Sequence, residues 1–234
     1  MILVLASVID AAAASFATEL AAGTAASLMT CADLASAPLA LRHPDFETST
    51  ITVDGKTTAV TAIRGVVNLL PVVFPSELVF YDEEEREYQA AELHALLTFF
   101  LSSLACPVLN RATAASLTGP FPNPLGWRQL ARKEGIPVTN IEMSSTKFAN
   151  PFVVPSGAQS FEVTCLGGRV LGPPRPELDL WTLRLASLGG VEYLRAVYTC
   201  AGSDKSRLLS ASTVPDVTST LIRAALIDYL ASRS

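Results

Sequence analysis

The chain has 234 residues, room for one large domain or two small ones, and half of its residues are apolar while only 17% are charged. A net charge of −5, with four lysines and thirteen arginines that form no cluster, argues against a nucleic-acid-binding surface, which wants a basic face. Soluble domains carry about a quarter charged residues, so this surface is poor in charge: either an alanine-rich core lies under a neutral surface, or, as exposed apolar patches favour, a large apolar face meets a protein partner.

The first twenty residues, MILVLASVIDAAAASFATEL, lack the basic start of a secretory signal, and Asp10 and Glu19 interrupt them. No run reaches the ~18–20 apolar residues of a membrane span. Cys31, Cys106, Cys165 and Cys200 lie far apart in apolar surroundings. That spacing fits free thiols in a reducing cytoplasm rather than a disulfide or a metal set.

In chain order, Ile2–Ala6 reads as a central strand, 10–20 as a helix ended near Gly23, 27–30 as a second strand and 39–42 as a third. This strand–helix–strand opening is the pattern of an open parallel sheet. The first turn has no glycine and no Walker loop occurs anywhere, so neither dinucleotide nor P-loop binding is indicated. Alternating Thr and apolar residues on either side of Asp54-Gly55 predict a hairpin from 50 to 63, and Arg64–Asn68 follows it.

Residues 82–111 carry the dominant helix. Asp82 and Glu85 have the form of a capping box, and Leu93, Leu96, Leu97, Phe100, Leu101 and Leu104 fall on one face. The helix is about 20 residues, or roughly 30 Å, long. Cys106-Pro107 stops it and Val108–Asn110 is a short buried strand. A helical turn is predicted at 112–117, a short helix at 124–133 with Trp127 and Leu130 inward, and a strand at 135–138. Residues 144–160 are polar and proline-punctuated, a candidate linker. A hairpin with a Gly167-Gly168 turn, a helix at 177–188, strands at 191–200 and 207–212, and a helix at 218–231 with Leu221, Ile222, Ala225 and Tyr229 inward complete the chain.

This order, with Ala62-Ile63-Arg64, Tyr88 and Glu92 four residues apart, Cys106–Asn110, and Trp127 followed by Gly135-Ile136-Pro137-Val138, resembles the ATP-grasp ligases, specifically the branch with ribosomal-peptide ligases and glutathione-synthetase-like enzymes. The resemblance covers residues 1 to about 140; the rest is similar to the closing part of the same fold. It implies a lid carrying two phosphate-binding lysines between the Gly-Ile-Pro-Val stretch and the next hairpin, and an acidic-x-Asn element on the last strand to hold magnesium. Here only the 22 residues from Thr139 to Ser160 fill that gap, with Lys147 its one lysine, and the last strand reads Ser210-Ala211-Ser212. Without lysines or magnesium, developing phosphate charge has nothing to stabilise it.

The expected fold is therefore α/β: a Rossmann-like parallel-sheet domain over 1–143, a linker over 144–160 and a smaller mixed domain over 161–234. The expected function is a non-catalytic ATP-grasp-like partner subunit of a ligase or peptide-modifying system, with no cofactor, no metal and no catalytic residues, acting as a homodimer or with a protein partner. The alternative is a small-molecule binder or an active ligase using a strand-end cleft around Arg64 and Asn110. Arg64, Asn110 and Arg111 fall at the carboxyl ends of predicted strands, where open α/β sheets place ligands. With Lys147 they are the ligand-binding candidates. Pairing of Arg64 with a local acid and helix capping by Asn110 are the competing structural readings. His94 reads as a packed or solvated side chain rather than a base, His43 as a loop residue, and Asp216 as a cap of the last helix or a solvent-facing carboxylate rather than a metal ligand.

Overall fold

The structure is a computed structural model that describes residues 1–36, 39–121, 123–141, 152, 154, 158–200 and 206–233. It is α/β and divides into two compact units, Met1–Pro120 with Asp216–Ser234, and Phe121–Pro215. The division differs from the one expected. The last helix returns to the first unit and the 124–133 helix belongs to the second, while most of the expected linker lies outside the described residues.

The first unit runs β1 (Ile2–Leu5), α1 (Ala11–Gly23), β2 (Ala26–Met29), α2 (Cys31–Ser36), β3 (Leu39–Ala40), β4 (Thr50–Val53), β5 (Lys56–Ala59), β6 (Gly65–Asn68), α3 (Arg86–Ser103) and β7 (Val108–Leu109). The second contains α4 (Pro124–Lys133), β8 (Gln159–Leu166), β9 (Arg169–Leu171), α5 (Pro176–Gly189), β10 (Tyr193–Cys200) and β11 (Arg207–Ser212). Helix α6 (Thr220–Arg233) completes the first unit.

A parallel sheet in the order β2-β1-β6-β7 centres the first unit, with Leu5 opposite Asn68 and Val67 opposite Leu109. Leu3, Leu5, Val66 and Val108 join the core built by Leu93, Leu97, Phe100, Leu101 and Leu104 of α3. Strand alternation sends Ile2, Val4, Val67 and Leu109 to the other face. There Gly65 admits α6: a Cβ at that position would lie 2.8 Å from Leu230. Arg223 ties α6 to α1 through Glu19, at 2.8 Å. Helices α1 and α6 are thus linked within the first unit.

Helix α1 begins as expected, Asp10 accepting the Ala13 N–H at 2.9 Å. The Asp54-Gly55 turn also forms, with φ of 50° and 74°, the left-handed pair that a tight hairpin needs. The second strand of that hairpin, expected to reach Ile63, stops at Ala59 and gives way to a 3-10 turn at Val60–Ala62.

The dominant helix starts at Arg86, not just after Asp82. The backbone carbonyl of Asp82, rather than its carboxylate, takes the Glu85 N–H at 2.9 Å, so residues 82–85 form a turn and no capping box. Residues 112–117 are not helical either. Thr113 and Ser116 exchange backbone hydrogen bonds at 2.9 and 3.3 Å, and their hydroxyls bind nearby backbone in competition with a helix. The 135–138 strand reduces to one bridge, Val138 to Leu208, because Pro137 has no N–H to extend it. In α6 the inward residues are Ile222, Leu226 and Leu230, four apart, and Leu221 is exposed.

In the second unit the sheet order is β11-β10-β8-β9, antiparallel throughout. One face packs Val163, Cys165, Leu194, Ala196, Tyr198 and Ala211 against Trp127 and Ala131 of α4 and Leu178, Leu185 and Ala186 of α5. Among the described residues, no helix is long and apolar enough to cross a membrane.

Candidate functional site

The carboxyl edge of the parallel sheet, where a ligand was expected, is closed by its own polar groups. Asn68, fully buried at the end of β6, donates from Nδ2 to the Leu117 carbonyl at 2.7 Å and accepts the Leu70 N–H on Oδ1 at 3.0 Å. Ser116, also buried, donates to the Pro71 carbonyl at 3.3 Å and shares a hydrogen bond with Thr118 at 3.2 Å. Asn110, directly after β7, is 1% exposed and engaged within the protein. Buried amides and hydroxyls must be paired or they cost free energy, and here the strand ends and the 112–120 loop pair each other.

The expected site residues separate. Arg64 precedes β6 and its N–H donates to the Met1 carbonyl at 2.7 Å, so it stands at the amino end of the sheet. Asn110 stands at the other end, about 13 Å away along the strands at roughly 3.3 Å per residue. Arg111 caps α3: its guanidinium donates to the carbonyls of Leu104 at 2.8 Å and Cys106 at 3.0 Å. Lys147 lies outside the described residues. Tyr88 and Glu92 are exposed on α3. His94 is half-buried, and burial lowers its pKa, which keeps the imidazole neutral. Burial, reinforced by the Glu77 carboxylate, pushes the Cys31 thiol up to about 12, and burial pushes Cys165 up to about 11, so both are inert at neutral pH.

The face of the antiparallel sheet opposite α4 and α5 holds a different set. Strand pairing aligns Thr164, Arg195 and Ser212 in one row across β8, β10 and β11, and Glu162, Val197 and Ser210 in the next. One cation, one carboxylate and three hydroxyls therefore share two adjacent rows. Sequence reasoning missed Arg195. Its signal was available in the period-two alternation of Leu194-Arg195-Ala196, which turns the arginine away from the apolar face.

Arg128 was missed as well. It is buried on α4 and donates to the carbonyls of Leu208 at 3.0 Å, Leu209 at 2.9 Å and Thr139, with burial lowering its pKa. It fastens β11 and the 137–139 segment to α4. Those carbonyls accept all the bonding it makes here, which marks it as structural. Among the described residues, no group of three or more His, Cys, Asp or Glu side chains could hold a metal ion.

No protein-family model and no curated protein matches the chain. Solved structures do. The macrocyclase MdnC from Microcystis aeruginosa MRC, bound with precursor peptide MdnA, superposes with a TM-score of 0.73 at 13% identity over 99% of both chains. The ATP-grasp ligase PsnB complexed with minimal precursor gives 0.73 at 15% identity, over 99% of this chain and 98% of PsnB. A RiPP-associated ATP-grasp ligase from Chryseobacterium gregarium, in complex with ADP and a leader and core peptide, gives 0.66 at 11% identity, over 100% of this chain and 97% of that one. At such identities the likeness speaks for architecture alone, and the architecture of this chain is ATP-grasp-like.

Proposed function

We propose that the chain is a non-catalytic ATP-grasp-like protein that serves as the partner subunit of a ligase or peptide-modifying system. The observation that carries this is the pairing of Arg195 with Ser212 on the last two strands. Under the resemblance, the last strand should offer a carboxylate and an asparagine to magnesium; its places hold Ser210 and Ser212, and a guanidinium stands in the same row. Magnesium wants anionic oxygen donors, and a neighbouring fixed cation opposes it. The donor set does not fit the ion.

Two further observations support the reading. Among the described residues the lysines are Lys56, on the edge strand β5, and Lys133, at the exposed end of α4. Neither sits on the Arg195 face. The superposed ligases were crystallised with precursor peptides, so a polypeptide partner suits this architecture. The competing reading, a strand-end cleft around Arg64 and Asn110, is weakened by their places at opposite ends of the sheet.

Phosphate release from ATP and magnesium tests the proposal. The purified chain should release none above buffer, and it should raise the activity of a ligase that co-purifies with it. Turnover by the chain alone, lost in Arg195→Ala, would overturn the proposal.

A further inference from the structure

Between β6 and α3 the chain forms a strap, residues 71–85, four of whose large apolar side chains are exposed. Val79 is 68% exposed and Phe80 49%, with Val72 at 38% and Phe74 at 44%. Four apolar residues exposed within nine positions is unusual for a segment that is itself well tied down. The strap is held by the 3-10 turn at Pro75–Glu77 and by the Leu78 N–H on the Pro75 carbonyl at 3.1 Å. Arg86 donates back to the carbonyls of Tyr81 at 3.1 Å and Val79 at 3.4 Å. The loop after β1 joins it, the Val8 N–H donating to Glu77 at 3.3 Å and bringing exposed Val8 and Ile9 alongside. Burial of Val73 and Leu78 anchors the strap, so the exposure of their neighbours is not fraying.

Directly beside this apolar surface stand the carboxylates of Asp82, Glu83, Glu84, Glu85 and Glu87, all exposed. The one basic side chain among them, Arg86, is turned inward onto the strap's own carbonyls. The surface therefore combines apolar anchors with uncompensated negative charge.

We infer that the 71–85 strap, together with the acidic run 82–87 that leads into α3, docks a basic, apolar polypeptide segment of a partner protein, one in which lysine or arginine alternates with leucine-like side chains. The inference rests on the partner-subunit reading and names the surface it uses. Apolar side chains would supply the affinity through burial, and the carboxylates would steer and select the partner. A second copy of this chain is a poor occupant. It is itself acidic, and α4, where Arg128, Arg132 and Lys133 alternate with Leu125, Trp127 and Leu130, already buries Trp127, Arg128 and Ala131 within its own unit.

The test is fluorescence anisotropy with the full chain and a labelled helical peptide of leucine and lysine, about 18 residues long so that it can hold a helix. A leucine–glutamate peptide of the same spacing and phosphatidylcholine vesicles serve as the other arms. The leucine–lysine peptide should bind, and Val79→Ser with Phe80→Ser, both exposed and outside the core, should weaken it at least ~10-fold. Reversing Glu83, Glu84 and Glu85 to Lys should weaken it as much at low salt and abolish its salt dependence. Leu180→Ser with Leu188→Ser, on exposed positions of α5, should change nothing. Unchanged binding in both strap variants, equal binding of the leucine–glutamate peptide, or strap-dependent capture of vesicles in place of peptide would overturn the inference. Magnesium-ATP binding by the same preparation would overturn the partner-subunit reading and leave the strap result standing.

Discussion

At the carboxyl edge of the parallel sheet, Asn68 spends both ends of its amide on the backbone of Leu70 and Leu117. On the far face of the antiparallel sheet, Arg195, Glu162, Ser210 and Ser212 are arrayed by strand pairing, and all four are half-buried or more exposed. The first region uses its polar groups to finish a fold; the second presents polar groups on a surface that the core does not need. A strand end in an α/β sheet is a site only when its polar groups are left for a ligand. By that measure the familiar place is closed in this protein, and the rows of polar side chains turned away from a core sit on the second sheet.

The largest effect should come from the closed edge. Asn68→Ala leaves the Leu117 carbonyl and the Leu70 N–H buried without partners, and is expected to cost about 3 kcal/mol in denaturant unfolding. A cost under about 0.5 kcal/mol would mean that the edge is not closed, and would restore the strand-end cleft. Arg111→Met removes the cap on α3 and should cost about 1 kcal/mol, read in the same way. If it instead altered binding of a small ligand with stability unchanged, its assignment as a cap would fail. Arg195→Met, by contrast, should leave stability within about 1 kcal/mol, as for other partly solvated charges.

A further effect is alkaline. Cys165 and Cys31 hold their protons to about 11 and about 12 in the folded chain against an ordinary value of 9. The folded state therefore binds these protons more tightly than the unfolded state. That contribution is complete below pH 9 and is lost as pH rises toward 11 and 12. Melting temperature should decline over that window, and Cys165→Ala should flatten the decline; an identical decline in the variant would remove the thiol from the account.

Much of this was legible in the sequence because it depended on near neighbours. The helix from 10 to 20, the Asp54-Gly55 and Gly167-Gly168 turns and the buried stripe of α3 follow from residues within a few positions of one another. What was not legible depended on where strands end and on what distant carbonyls require. Arg64 was placed at the end of a strand that in fact stops at Ala59, so it begins β6 and lies at the opposite edge. Arg111 was a ligand candidate by position alone, and nothing local announces that its guanidinium reaches back to Leu104 and Cys106. The Asp82–Glu85 spacing mimics a capping box, yet the Asp82 backbone carbonyl takes the Glu85 N–H first. On the second sheet, the lack of a carboxylate in Ser210-Ala211-Ser212 was visible, whereas the alignment of Arg195 with Ser212 needed the strand register.

Titration of ATP with magnesium into the full chain, followed by calorimetry, tests the central claim most directly. A non-catalytic subunit with Arg195 beside Ser210 and Ser212 in place of metal-holding oxygens predicts no saturable heat at micromolar concentrations. Clear micromolar, magnesium-dependent binding that Arg195→Ala alters would contradict it.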